Sequence, residues 1–151
     1  MGTFALKKGT VLSRKQKKAL AESLWKKIIK ISGRCVFCGI PEDRSTIDAA
    51  HILPKGAYPD ARHDIENGLP LCRSCHRYAT DNPDWFTEKV IEFIGQEKYQ
   101  ELRERYQKVV VNDLDEIIDG LKIEYDRLKL LKEQGKPKVK TLAMCPTGGT
   151  F

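Results

Sequence analysis

The stretch NGLPLCRSCHRYATDNP, residues 67–83, decides how the chain is read: Cys72 and Cys75 form a Cys-x-x-Cys pair, and His76 follows at once. A second pair, Cys35 and Cys38, lies upstream. In a chain with no secretory signal, two short-spaced pairs read as metal ligands rather than disulfides. Each pair can grip one edge of a tetrahedron, which is the geometry of structural zinc. Residues 39–71 separate the pairs, more than a plain zinc ribbon needs, so something else occupies the interval. The three histidines, His51, His63 and His76, all lie inside or at the edge of this segment. His63 taken alone reads as structural or merely exposed.

Working outward, the 151 residues are one domain's worth, enough to bury a modest core. With 40% hydrophobic and 32% charged residues, the composition fits neither a disordered chain nor a membrane protein. No run approaches the length that spans a bilayer and no apolar signal segment follows the start, so a cytoplasmic, non-secreted protein is expected. The net charge of +6 is asymmetric. Residues 1–34 carry ten Lys or Arg against Glu22 alone, a balance of +9, which leaves −3 for the remainder. Such a block attracts polyanions, because each cation that neutralises a phosphate releases a condensed counterion. The plainer reading is a solvated helix face.

Ser13 and Gln16 make a capping box for a helix running to about Ile31, with Gly33 as its stop. Leu20, Leu24 and Ile28 share one face of it. From Cys35 to Leu71 helical periodicity is lost, and AAHIL and GLPL suit brief strands. A short helix follows Cys72. Asn82 as N-cap and Pro83 at the first position open another, ended by Gly95. QEKYQELRERYQKV reads as a further helix. Asp113 and Glu116 read as a second capping box, opening a last helix towards Gly135, with Leu114, Ile118, Leu121, Tyr125 and Leu128 on one face. That face is expected to dock on the domain, with a protein partner or dimer through the C-terminal helices as the alternative. KPKVKTLAMCPTGGTF reads as a polar tail and its Cys145 as a spare thiol. The chain thus divides into a basic arm and helix (1–34), a core (35–95), C-terminal helices (96–135) and a tail (136–151).

AAHILPKG followed by ENGLPLCRSCH resembles the His-Asn-His (HNH) nuclease motif, with His51, Asn67 and His76 in its three positions. CVFCG, NGLPLCRSCH and DNPDWF are similar to the zinc-containing HNH proteins of bacteria and their phages. The resemblance implies an α+β, mainly helical fold. Its centre is a small zinc-stabilised, treble-clef-like ββα-metal core, flanked by N- and C-terminal helices. It also implies a bacterial or phage-infected cell as the setting, and a metal-dependent endonuclease that nicks or cuts DNA, leaving 3′-hydroxyl and 5′-phosphate ends.

In that family the roles fall on His51 as general base, Asn67 as the residue that orients the loop or the base, and His76 as ligand of a catalytic Mg2+, Mn2+ or Ni2+. Cys35, Cys38, Cys72 and Cys75 hold the structural zinc and so aim His76. Ala50 and Thr80 stand where many members carry further ligands; Asp48, Asp81 or a phosphate of the DNA would complete the coordination. Arg14, Lys15, Lys17, Lys18, Lys26, Lys27, Lys30 and Arg34 are the expected contacts to DNA, most simply double-stranded. The competing reading is a zinc-stabilised DNA-binding module with a degenerate, inactive HNH site.

Overall fold

The computed structural model describes residues 11–108 and 112–135. Lys7, Lys8, Cys145 and the whole tail lie outside the described residues. The fold is α+β and mainly helical. Among the described residues there are five α-helices, α1 (Arg14–Ile29), α2 (Arg73–Asp81), α3 (Pro83–Ile94), α4 (Gln96–Arg105) and α5 (Leu114–Glu133), and a hairpin of β1 (Ile47–His51) and β2 (Gly68–Cys72). No helix among the described residues is long and apolar enough to cross a membrane.

α1 starts where its capping box dictates. The Ser13 hydroxyl accepts from the Gln16 backbone N–H at 3.2 Å, and the Gln16 side chain accepts from the Ser13 N–H at 2.8 Å, so two otherwise orphaned donors are satisfied. It buries Ala21, Leu24, Trp25, Ile28 and Ile29, a stripe at helical spacing that takes in Leu24 and Ile28 of the expected face, with Leu20 only partly buried beside it. Ile118 and Leu121 of α5 close over that stripe, with Tyr125 and Leu128 alongside. The last helix therefore docks on the first. Lys17 and Asp115 join them at 2.9 Å.

Two helix starts differ from the sequence expectation. Asn82 does not cap α3 with its side chain; its amide instead donates to the Tyr78 carbonyl at 3.0 Å, finishing α2. With no residue between α2 and α3 except Asn82, one side chain serves one end only. Asp113 caps α5, but it accepts from the Asp115 N–H at 2.8 Å, so the reciprocal box with Glu116 is not made.

β1 and β2 pair antiparallel from Ile47 opposite Cys72 to His51 opposite Gly68. β1 begins two residues earlier than AAHIL suggests. The Cys35–Cys38 turn attaches to the hairpin through the Val36 N–H and the Pro70 carbonyl at 3.0 Å. Pro70 lacks a donor, which a two-stranded sheet tolerates. The main core gathers on the cysteines and runs from Cys35 through Val90 to Leu102.

Gly68 is where α1 meets the hairpin. A Cβ there would lie 2.5 Å from Ile29 Cδ1 and 2.7 Å from Trp25 Cζ2. Gly68→Ala must push α1 off the strand, so it is expected to cost about 1–3 kcal/mol, the usual penalty of overpacking. Chemical denaturation measures it, and an unchanged midpoint would refute the close approach.

Candidate active site and metal centre

The four cysteines are the best-defined cluster. All are buried, and their sulfurs lie within 4.8 Å of one another. The Cys38 and Cys72 sulfurs are 3.8 Å apart. That is too long for a disulfide, and it is the edge of a tetrahedron whose centre lies about 2.3 Å from each sulfur, the zinc–thiolate distance. Cys72 caps α2 by accepting from the Cys75 N–H at 3.4 Å, so the ligands and the helix start are one piece of structure. Without a cation the thiols oppose one another. A hydrogen bond from Cys75 draws Cys35 down to about 5, while burial pushes Cys38 and Cys72 up. A bound dication lets all four ionise, and the donor set fits zinc.

His51 ends β1. Its ring stacks on Trp25 with centroids 4.1 Å apart and 13° between planes, and its Nε2 lies 3.0 Å from the Arg62 carbonyl. A carbonyl can only accept, so Nε2 carries the proton and the neutral ring keeps its lone pair on Nδ1. Burial, aided by the charges of Lys55 and Arg62, lowers the His51 pKa against the Arg62 carbonyl and Glu22, which raise it.

Asn67 is fully buried, and its side chain hydrogen-bonds to backbone. Its oxygen accepts from the Leu53 N–H at 2.7 Å, and its amide donates to the Ala61 carbonyl at 2.9 Å. The residue therefore staples both ends of the connection between the strands, including the stretch that presents the Arg62 carbonyl. Asn67→Ala leaves a buried donor and a buried acceptor unpaired, an expected loss of about 2–4 kcal/mol. A denaturation midpoint within error of the parent would show that the staple is not needed.

His76, in the first turns of α2, is half-buried, and its Nδ1 sits 3.1 Å from Asp48 Oδ2. Asp48 also meets Arg73 at 3.5 Å. Of the two carboxylates considered from sequence, Asp48 is the one brought to His76. Asp81 is exposed beside Arg73, Ser74, Arg77 and Tyr78. Ala50 is packed into the cysteine-centred core, and the Thr80 hydroxyl is spent on the His76 carbonyl at 2.9 Å. Among the described residues, no group of three His, Cys, Asp or Glu side chains other than the cysteines converges as metal ligands. His51 makes no direct hydrogen bond to His76 or Asp48. Asp48 stands two residues before Ala50, hence on the same strand face, one strand repeat from the customary ligand position.

Residues 35–78 match the family model of the HNH endonucleases. The HNH segment thus contains both cysteine pairs, His51, Asn67 and His76, and the match supports a nuclease-type function. No curated protein and no solved structure matches the chain. α1 and α5 lie outside the HNH segment, yet α1 supplies the Trp25 that backs His51.

Of the cations expected to meet DNA, Arg14, Lys15, Lys18, Lys26, Lys27, Lys30 and Arg34 are exposed. Lys17 is engaged by Asp115, Lys26 reaches Glu22 at 3.6 Å, and Arg34 donates to the Gly39 carbonyl at 3.1 Å. Sequence reasoning missed Trp25, whose signal was a lone tryptophan in a lysine-rich helix. It also missed Glu22, the single acid among those cations. Glu22 lies within 4 Å of Lys26, Lys55, Arg62 and His63. Burial raises its pKa, but Lys55, Arg62 and Lys26 outweigh this and hold it below the usual carboxylate value.

Proposed function

We propose that the chain is a metal-dependent endonuclease that hydrolyses phosphodiester bonds of double-stranded DNA in the cytoplasm of a bacterial or phage-infected cell. The observation that carries this is the His51 ring, held by Trp25 and the Arg62 carbonyl with Nδ1 left as a proton acceptor. Nδ1 takes the proton of the attacking water. Asn67 acts one step removed: it fixes the connection that fixes the tautomer. His76 and Asp48 are the side chains that would hold a catalytic Mg2+, Mn2+ or Ni2+. Such an ion supplies positive charge where the phosphate oxygens gain negative charge. Two protein ligands would hold such an ion weakly, and a DNA phosphate would complete the set. The exposed cations of α1 grip the backbone, mostly without regard to sequence.

The test is conversion of supercoiled plasmid to nicked or linear form in each of the three ions, with Asp48→Asn beside the parent. Cleavage is expected, with the variant needing roughly tenfold more ion, the usual scale for disturbing a metal's surroundings. A folded, zinc-loaded parent that binds DNA and cuts it with none of the ions would instead be a binding module.

The same geometry fixes the sign of the pH dependence. A lowered His51 pKa keeps the base neutral below the ordinary histidine value of 6.5. The acidic limb of the cleavage rate is therefore expected below pH 6.5, and a half-maximum above it would contradict the buried base. His63 is lowered too, chiefly by burial. Both histidines bind fewer protons folded than unfolded, so the stability they contribute above pH 6.5 is lost as pH falls through their folded values.

A further inference from the structure

A cleft of about 400 Å³ opens between the first turns of α1, the connection between the strands, and the start of α5. Arg14 and Lys18 line it from α1, Pro59, Asp60, Arg62 and His63 from the connection, and Asn112, Leu114 and Ile117 from the start of α5. Three permanent cations thus face one carboxylate. Arg62 reaches Glu22 through Nε at 3.3 Å, and among the described residues no hydrogen bond engages the two terminal nitrogens of its fork. Arg14 and Lys18 have no acidic partner within 4 Å among the described residues. His63 is 11% exposed, and its Nε2 is buried without a hydrogen-bond partner, 3.6 Å from Glu22 and beyond bonding reach. Two cations without an acidic partner, Arg14 and Lys18, beside the Arg62 guanidinium make a concave cationic set, and guanidinium forks suit tetrahedral oxyanions above all.

We infer that this cleft binds one internal phosphodiester phosphate of the DNA backbone, away from the bond that is cut, and so sets where the duplex lies relative to His51. The inference rests on the nuclease reading and adds a discrete anchor to it. Arg62 is what joins the two sites: the residue lines the cleft while its carbonyl holds His51 Nε2 at 3.0 Å. A phosphate seated on its guanidinium is therefore fixed to the residue that fixes the base. This separates the cleft from the diffuse lysine surface of α1, where a phosphate has no such tie.

The experiment is a binding scan of a short duplex in which backbone phosphates are replaced one at a time by neutral methylphosphonates. It is read by fluorescence anisotropy without added catalytic ion, on the full chain with its zinc. Wild type, Lys18→Gln and Arg62→Gln are compared after melting curves establish that each is folded; Lys18 is exposed on α1, and Arg62→Gln keeps the backbone carbonyl. The expected result is one internal position whose neutralisation weakens wild-type binding about tenfold and leaves the already weakened variants unchanged. The salt slope of each variant should also fall by about 0.9, the share of one phosphate contact. Variants that show the same losses as wild type at every position would overturn the cleft while leaving the nuclease reading intact. So would a loss that tracks the 5′-terminal phosphate, read by comparing 5′-phosphorylated and 5′-hydroxyl duplexes. A folded wild type that binds no duplex at low salt would overturn the nuclease reading, and the anchor with it.

Discussion

His51→Ala is expected to slow DNA cleavage by about 10²–10⁴-fold, the scale of a lost general base, while duplex affinity stays within about twofold. The two effects are expected to separate because His51 offers DNA no permanent charge, whereas the proposal assigns affinity to the exposed cations of α1. The substitution also removes the ring stacked on Trp25, so a second variant is needed to divide chemistry from support. His51→Gln keeps a side-chain N–H suited to the Arg62 carbonyl but supplies no base, and it should be as slow as alanine. If glutamine restored cleavage, His51 would be a prop and not the base. Single-turnover rates with enzyme in excess make the comparison, since they are blind to product release.

Removing the metal from the cysteine quartet should unfold the segment from Cys35 to Leu102. Zinc held by four thiolates contributes on the order of 10 kcal/mol to the folding of small sites, and a domain of this size has about 5–15 kcal/mol in total. The core of the hairpin and α2 is built on Cys35, Cys38, Cys72 and Cys75 themselves, so without zinc four thiols would be packed against one another at its centre. Metal analysis is expected to find one zinc per chain. Cys75→Ser should lose it, along with the cooperative thermal transition. A variant lacking zinc that melts as the parent does would show that packing alone holds the core.

Much of this was legible from local chemistry. The capping box at Ser13, the paired cysteines and the order His51, Asn67, His76 are short-range patterns whose physical meaning travels with the residues. What escaped depends on contacts between distant segments. The stack of Trp25 on His51 joins a helix to a strand 26 positions away, and nothing in the lysine-rich surroundings of Trp25 announces it. The carbonyl of Arg62 has no sequence signal, because every residue has one. The choice between Asp48 and Asp81 was open to simple geometry. A residue five positions after His76 sits about 140° round the helix from it, whereas Asp48 comes from a strand that α2 packs against. Asn82 failed as the N-cap of α3 because two helices compete for one side chain, a conflict that propensities assigned one helix at a time do not register.

In the proposed hydrolysis, water deprotonated at His51 attacks phosphorus. The most direct measurement is cleavage of a defined duplex in ¹⁸O-labelled water with magnesium or manganese, followed by mass spectrometry of the ends. Hydrolysis by this route should leave 3′-hydroxyl ends and 5′-phosphates carrying the label, with product strongly reduced in His51→Ala. Ends without the label, or no cleavage by a zinc-loaded protein that binds the duplex, would contradict it.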